Sequence, residues 1–238
     1  MPKVFGWQHL TFLAIFLVLG TVSLILAKVF LKERKGQVIF IKVLAGITLI
    51  SVILNRIFVA IHHSNIASLF PYTICSLTSF ALSLVTIFGK ENNNAYQALW
   101  YIGFVGGLST LLYPDFIEQN ISIFYPATIT GLLHHGFCFL LTIALLLFNW
   151  FRPNLKKCYY FPMIFSGYIT IGTFAQHVLK INGSMLITKP ILNGTPINCW
   201  FILTVGTALV VLASLVYSLI KKSIETKKLQ KQQPEENQ

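Results

Sequence analysis

The stretch ATITGLLHHGFCFLLTIALLLFN (residues 127–149) contains no aspartate, glutamate, lysine or arginine. A helix that crosses a bilayer needs about 20 predominantly apolar residues, so this stretch predicts a membrane span. Six more apolar runs lie at about 9–31, 37–61, 69–89, 95–113, 158–180 and 197–220. The pattern predicts an all-α, polytopic transmembrane helix bundle of about seven spans, with residues 1–220 forming a single domain.

The overall composition indicates the same environment. Of the 238 residues 55% are hydrophobic and 11% are charged, whereas soluble domains carry about 25% charged residues. The net charge of +11 would suggest nucleic acid as a partner of a soluble protein. Here the basic residues lie in loops and in the tail, so membrane lipids are the expected partners and nucleic acid is not. No small-residue cleavage site follows the first apolar run, which is therefore interpreted as a span rather than a removed signal peptide.

Lysine and arginine are distributed unequally between alternate loops. One side carries Lys28, Lys32, Arg34, Lys35, Lys90, Arg152, Lys156, Lys157 and the tail lysines, and the other carries Lys3, Lys180 and Lys189. The positive-inside rule places the basic side in the cytoplasm, with the N-terminus outside and the C-terminus cytoplasmic. Residues 221–238 are basic and polar, which predicts a disordered cytoplasmic tail after a frayed helix end. The expected location is the cell membrane, and the composition favours a bacterial plasma membrane.

Polar residues within the spans cluster at one depth, near the predicted outer face. Ionisable groups in a membrane are costly unless they face the protein interior, so they are candidate functional groups. The polar residues of this cluster include Asn55 and Arg56 on span two, Cys75 early in span three, His134 and His135 in span five, and His177 at the end of span six. The serines and threonines beside them are explained equally well as small packing residues between helices. Two adjacent histidines are harder to explain by packing, since each buried imidazole needs partners for both nitrogens.

Four short motifs resemble one family. They are FPYTICSL (70–77), LLYPDF (111–116), LLHHGFCFLL (132–141) and INGSMLITKP (181–190). In this order and spacing they resemble the YwaF-like bacterial integral membrane proteins, which are distantly related to the eukaryotic transmembrane protein 164 family. The resemblance covers about residues 69–220.

The resemblance implies a multi-pass helical fold and, from the eukaryotic relatives, a cysteine acyltransferase that moves fatty acyl chains between phospholipids and lyso-ether lipids. The family cysteine, four positions after a proline, matches Cys75, and its histidine matches His135 best, with His134 adjacent. The family aspartate after a proline matches Asp115, and an Asn-x-x-Met element matches Asn182. The chain departs from the family at Thr73, where histidine is frequent, and at His177, where an amide is more usual.

Acyl transfer by cysteine needs a thiolate, a base to generate it and donors for the oxyanion. Cys75 would be the nucleophile, His135 the base or imidazolium partner, and Asp115 the group that orients the imidazole. Arg56 is suited to a lipid phosphate or an acyl carboxylate, with Asn55, His134, His177 and Asn182 as further substrate-binding candidates. No metal or cofactor is expected, and the sequence does not fix the oligomeric state. A disulfide between Cys75 and Cys199 is an alternative role for these cysteines.

Two other functions fit the same spans. A transporter would use the polar residues as a path, but transporters commonly show internal repeats, and none is evident in the sequence. The polar residues also lie toward one face rather than across the membrane. A non-catalytic membrane scaffold is the third possibility, and it predicts that replacing Cys75 changes nothing.

Overall fold

Seven α-helices form the protein in the part of the chain that the computed structural model describes, residues 5–114, 122–181, 186–187, 190 and 194–232. The helices are α1 (Trp7–Phe30), α2 (Arg34–His62), α3 (Ile74–Phe88), α4 (Tyr96–Leu112), α5 (Pro126–Leu147), α6 (Tyr160–His177) and α7 (Cys199–Gln232). Two short 3-10 segments, Ile66–Leu69 and Leu155–Lys157, precede α3 and α6. Each of the seven predicted spans corresponds to one helix, which confirms the all-α class.

Four of these helices, α1, α2, α5 and α7 as far as Thr226, are long and apolar enough to cross a membrane. Helix α3 is apolar but has only 15 residues, or about 22 Å, against a hydrocarbon core of about 30 Å. It begins at Ile74 rather than near residue 69, because the 3-10 turn and Pro71 occupy the start of the predicted span. The fold confirms a membrane protein, and the side that each loop faces stays a prediction.

Helix α5 lies at the centre of the bundle, packed against α2 on one side and α4 on the other. Helix α3 packs against the same two helices, so these four helices form the core. In the most apolar window of α5, 72% of the residues are buried, compared with 22% in α1 and 17% in α7. Helices α1 and α7 therefore present most of their apolar side chains outward, as expected of helices that face lipid.

The last helix is longer than the sequence predicts. Disorder is expected from residue 221, but α7 continues to Gln232. Lysine, glutamate and glutamine are good helix formers, and Lys221 pairs with Glu225 one turn later at 3.8 Å. The first part of the basic tail is therefore helical, and residues 233–238 lie outside the described residues.

Candidate functional site

A capping box places Cys75 in the first turn of α3. The Thr73 side chain accepts a hydrogen bond from the Ser76 backbone N–H at 3.2 Å, and the Ser76 hydroxyl accepts one from the Thr73 N–H at 3.3 Å. The helix thus starts at Ile74, and Cys75 is its second residue. Backbone N–H groups and the helix dipole favour negative charge at such a position. Thr73, the N-cap of α3, therefore determines where the helix begins and where Cys75 lies.

Three glycines on α4 allow its backbone to approach α3 and α5 closely. A Cβ atom built on Gly106 would lie 3.1 Å from Cys75 Sγ, and one on Gly103 would lie 3.1 Å from Cys138 Sγ. A Cβ on Gly107 would lie 2.8 Å from the His135 carbonyl oxygen. The sequence offers a signal for this role in the close spacing of small residues, which is typical of tight helix contacts in membranes.

Cys75 and Cys138 belong to one polar cluster between α3, α4, α5 and α6. The Ser79 hydroxyl, one turn after Cys75 on α3, lies within hydrogen-bonding reach of Cys138. Tyr168 on α6 accepts a hydrogen bond from Thr78 at 3.1 Å and interacts electrostatically with both thiols. Nothing in the sequence singles out Tyr168, because a tyrosine among many aromatic residues gives no distinctive pattern.

The paired histidines are buried beside this cluster. The ring centroids of His134 and His135 are 4.0 Å apart, and the His135 ring interacts with the backbone carbonyl of Gly106. His134 is 3% exposed; its ring interacts with the backbone carbonyl of Thr130, but neither ring nitrogen makes a well-aligned hydrogen bond within the described chain. By contrast, buried His9 accepts from the Phe5 N–H at Nδ1, and its Nε2 donates to the Leu111 carbonyl at 2.8 Å. His9 is thus a satisfied structural residue, whereas His134 is not.

Asn55 and Arg56 connect α2 to the histidines. Asn55 donates to the Ala127 carbonyl at 3.1 Å and to the Thr130 hydroxyl at 3.3 Å, which ties α2 to α5. Its side-chain oxygen accepts from Arg56 at 3.1 Å. The guanidinium lies 5.2 Å from the centroid of the Tyr72 ring and interacts electrostatically with both histidines.

Arg56 also forms part of the wall of a cleft between α2 and the start of α3. The cleft has a volume of about 110 Å³. Its other lining residues are apolar: Val52, Ile53, Ile57, Leu69, Pro71 and Phe80. Ile53 and Leu69 are 43% and 44% exposed, so the cleft opens at the outer surface of the bundle. This surface faces lipid when α2 crosses a membrane.

The structure brings together only part of the predicted site. Cys75 and His135 both contact Gly106, but no hydrogen bond joins Cys75 to His135 in the described part of the chain. His177 is exposed at the end of α6, and no described contact links it to His134 or His135. Asp115 and Asn182 lie outside the described residues. All four cysteines are free, so this structure contains no Cys75–Cys199 disulfide.

Comparison with known proteins gives one result that covers nearly the whole chain. The family model of the TMEM164 family matches residues 4–217. This range includes all seven helices except the end of α7. No curated protein and no solved structure matches the chain.

Proposed function

Because the chain belongs to the TMEM164 family, we propose that it is a membrane acyltransferase that moves an acyl chain between lipids through a thioester on Cys75. Within that family we assign it to the YwaF-like bacterial members, in a plasma membrane, with the N-terminus outside. The family and the apolar helices support the membrane part of this proposal, and the cysteine chemistry is our inference.

The observation that carries the proposal is the convergence of two reactive groups on Gly106. Cys75 Sγ approaches its Cα from α3, and the His135 ring interacts with its carbonyl from α5. A nucleophile and a base therefore lie against the same residue, although they come from different helices. In free enzymes such pairs are often loosely aligned and tighten when substrate binds.

The reaction follows from these two groups. His135 takes the proton from the Cys75 thiol, and the thiolate attacks the carbonyl carbon of a lipid ester. A C–S bond forms, the ester C–O bond breaks, and the leaving alkoxide takes the proton back from the imidazolium. A hydroxyl of the acceptor lipid then attacks the thioester carbonyl and loses its proton to His135. An ester C–O bond forms, the C–S bond breaks, and the leaving Cys75 thiolate takes the proton back from the imidazolium. Backbone N–H groups in the first turn of α3 are suited to stabilise the oxyanion, and we assign the orientation of His135 to Asp115.

The cleft beside Arg56 supplies a place for the lipid. Its apolar walls suit an acyl chain, and the guanidinium suits the negative phosphate of a headgroup. Arg56 interacts with both histidines, so a phosphate bound there would lie near the proposed base. We assign Asn55, His134, His177 and Asn182 to the lining of the same lipid site.

Labelling with a lipid-like probe that carries a reactive acyl ester tests the proposal. The purified protein in lipid nanodiscs should acquire the acyl group on Cys75, as located by mass spectrometry of its peptides. Labelling should disappear in Cys75→Ala and fall strongly in His135→Ala. Cys158→Ala is the matched control, since Cys158 is a buried cysteine whose Sγ contacts the carbonyl oxygens of Asn154 and Val210 instead.

Unchanged labelling in Cys75→Ala would remove the nucleophile. Solute flux through proteoliposomes that requires the polar residues of α2 and α5 would favour a transporter, and normal cell function with Cys75→Ala would favour a scaffold. The described residues and the family match contain no feature that favours either alternative over acyl transfer.

A further inference from the structure

Cys138 is a second buried thiol in the site, and acyl transfer gives it no role. It lies on α5 one turn after His134, and it is 2% exposed. Cys75 and Cys138 contact the same face of α4, because Gly103 and Gly106 are three residues apart and so lie on one side of the helix. Each sulfur is 3.1 Å from the Cβ position of its glycine.

From this arrangement we propose that Cys75 and Cys138 form an oxidisable dithiol, in which a membrane-soluble hydroperoxide joins the two sulfurs in a disulfide and so removes the nucleophile. The site is thus a modification site as well as an active site. This inference rests on the proposed function in one respect: the disulfide stops acyl transfer because Cys75 is also the proposed nucleophile.

The contacts of the two sulfurs favour this pairing over the others. The two sulfurs approach glycines that share one face of α4, and Ser79, one turn after Cys75 on α3, lies within hydrogen-bonding reach of Cys138. Because Gly103 and Gly106 have no side chains, α4 presents only backbone where each sulfur approaches it. The remaining cysteines have other neighbours: Cys158 Sγ contacts the carbonyl oxygens of Asn154 at 3.7 Å and Val210 at 3.9 Å, and Cys199 begins α7.

The oxidation is balanced with one hydroperoxide. The Cys75 thiolate attacks the terminal oxygen of the hydroperoxide, an S–O bond forms, the O–O bond breaks, and the lipid leaves as an alcohol. Cys75 is then a sulfenic acid. The Cys138 thiolate attacks this sulfur, an S–S bond forms, the S–O bond breaks, and the hydroxyl leaves with a proton as water. The two thiols are oxidised by two electrons and the hydroperoxide is reduced by two.

The experiment uses the full chain in lipid nanodiscs, treated with cumene hydroperoxide as a membrane-soluble oxidant. Remaining thiols are blocked with N-ethylmaleimide, and non-reduced peptides are analysed by mass spectrometry. We expect one linked peptide pair that contains Cys75 and Cys138, in the wild type and in the matched control Cys158→Ser. We also expect loss of labelling of Cys75 by the acyl probe, with recovery after reduction by a phosphine.

The variant Cys138→Ser separates this proposal from simple oxidation of Cys75. Without the second thiol the sulfenic acid is oxidised further to sulfinic acid, so labelling should be lost and should not return after reduction. Three results would overturn the proposal. They are a disulfide between Cys75 and Cys199, loss of acyl labelling without any linked peptide, and full recovery of acyl labelling after reduction in Cys138→Ser. The link is detected by mass and needs no acyl transfer, so failure of the proposed function and failure of this inference are separate results.

Discussion

Cys75 Sγ lies 3.1 Å from the position that a Cβ atom on Gly106 would occupy. Few real Cβ contacts are this short, so the thiol uses space that exists only because residue 106 has no side chain. The same glycine presents its carbonyl to the His135 ring. Gly106 therefore determines how far the proposed nucleophile and base are from each other.

A methyl group at Gly106 should therefore impair the chemistry more than the fold. In Gly106→Ala the thiol must move by a few tenths of an ångström; since misplacement by 1 Å can cost about a hundredfold in rate, this shift should cost roughly threefold to tenfold. The expected result is slower acylation of Cys75 by the lipid probe, with nearly unchanged thermal unfolding. Gly46→Ala is the control, because nothing lies within 4 Å of that Cβ position. Equal acylation rates in the two variants would contradict the assignment.

Gly107→Ala should instead weaken the fold. Its Cβ would lie 2.8 Å from the His135 carbonyl oxygen and 2.9 Å from Phe139 Cβ, so α4 and α5 would have to separate. Overpacking of this kind costs about 1–3 kcal/mol. Thermal unfolding in detergent, followed by circular dichroism, should show a lower Tm than in the wild type and in Gly167→Ala, where the added methyl meets nothing within 4 Å. An unchanged Tm would mean that the two helices are less tightly packed than the structure indicates.

The sequence predicts the helices better than it predicts the site. Long apolar runs locate all seven helices. The positions of His134 and His135 at mid-span predict that they face the protein interior, and both are buried in α5. What the sequence cannot give is which helices touch. The convergence of Cys75, Cys138 and His135 on α4 depends on glycines whose close spacing indicates a tight helix contact but not which helices make it.

Local chemistry explains the differences at helix ends. Pro71 and the capping pair of Thr73 and Ser76 delay the start of α3, which a hydropathy average over a long window cannot resolve. At the other end of the chain, Lys221 and Glu225 extend α7 because a helix tolerates charged residues once it has left the apolar region. Tyr168 was missed because its role depends only on its position opposite Thr78.

Replacing His134 and His9 by phenylalanine should have opposite effects on stability. In His134→Phe a buried imidazole whose ring nitrogens make no well-aligned hydrogen bond in the described chain becomes an apolar ring, so the free energy of unfolding should stay level or rise. His9→Phe leaves the Leu111 carbonyl without its donor and should cost about 1–3 kcal/mol. Denaturation of both purified variants in the same detergent measures the difference. A large loss in His134→Phe would show that the imidazole has a polar partner in the folded protein.

Removing the charge of Arg56 should change which lipids react. The guanidinium lines the cleft, and a charge-assisted hydrogen bond to a phosphate is worth about 1.5–3 kcal/mol, or roughly tenfold or more in binding. Arg56→Gln should therefore lower acylation by a phosphate-bearing probe and leave acylation by an uncharged ester of the same chain length nearly unchanged. Arg56→Lys keeps the charge and should lie between the two. If acylation falls equally with both probes, Arg56 supports the structure of the site and does not bind the lipid phosphate.

The two ends of α3 provide a direct test of the predicted orientation, because α3 is shorter than the hydrocarbon core. Ile66 lies before α3 and is 83% exposed, and Lys90 follows it and is exposed. In cells that express Ile66→Cys, a membrane-impermeant maleimide should label the new thiol from outside, whereas Lys90→Cys should react only after permeabilisation. Labelling of the wild-type protein, whose native cysteines are buried or partly buried, gives the background signal. If both new thiols react from outside, α3 does not cross the membrane and the predicted alternation of the loops fails. If only Lys90→Cys reacts from outside, the orientation is reversed, Cys75 opens toward the inner leaflet, and the donor lipid comes from that leaflet.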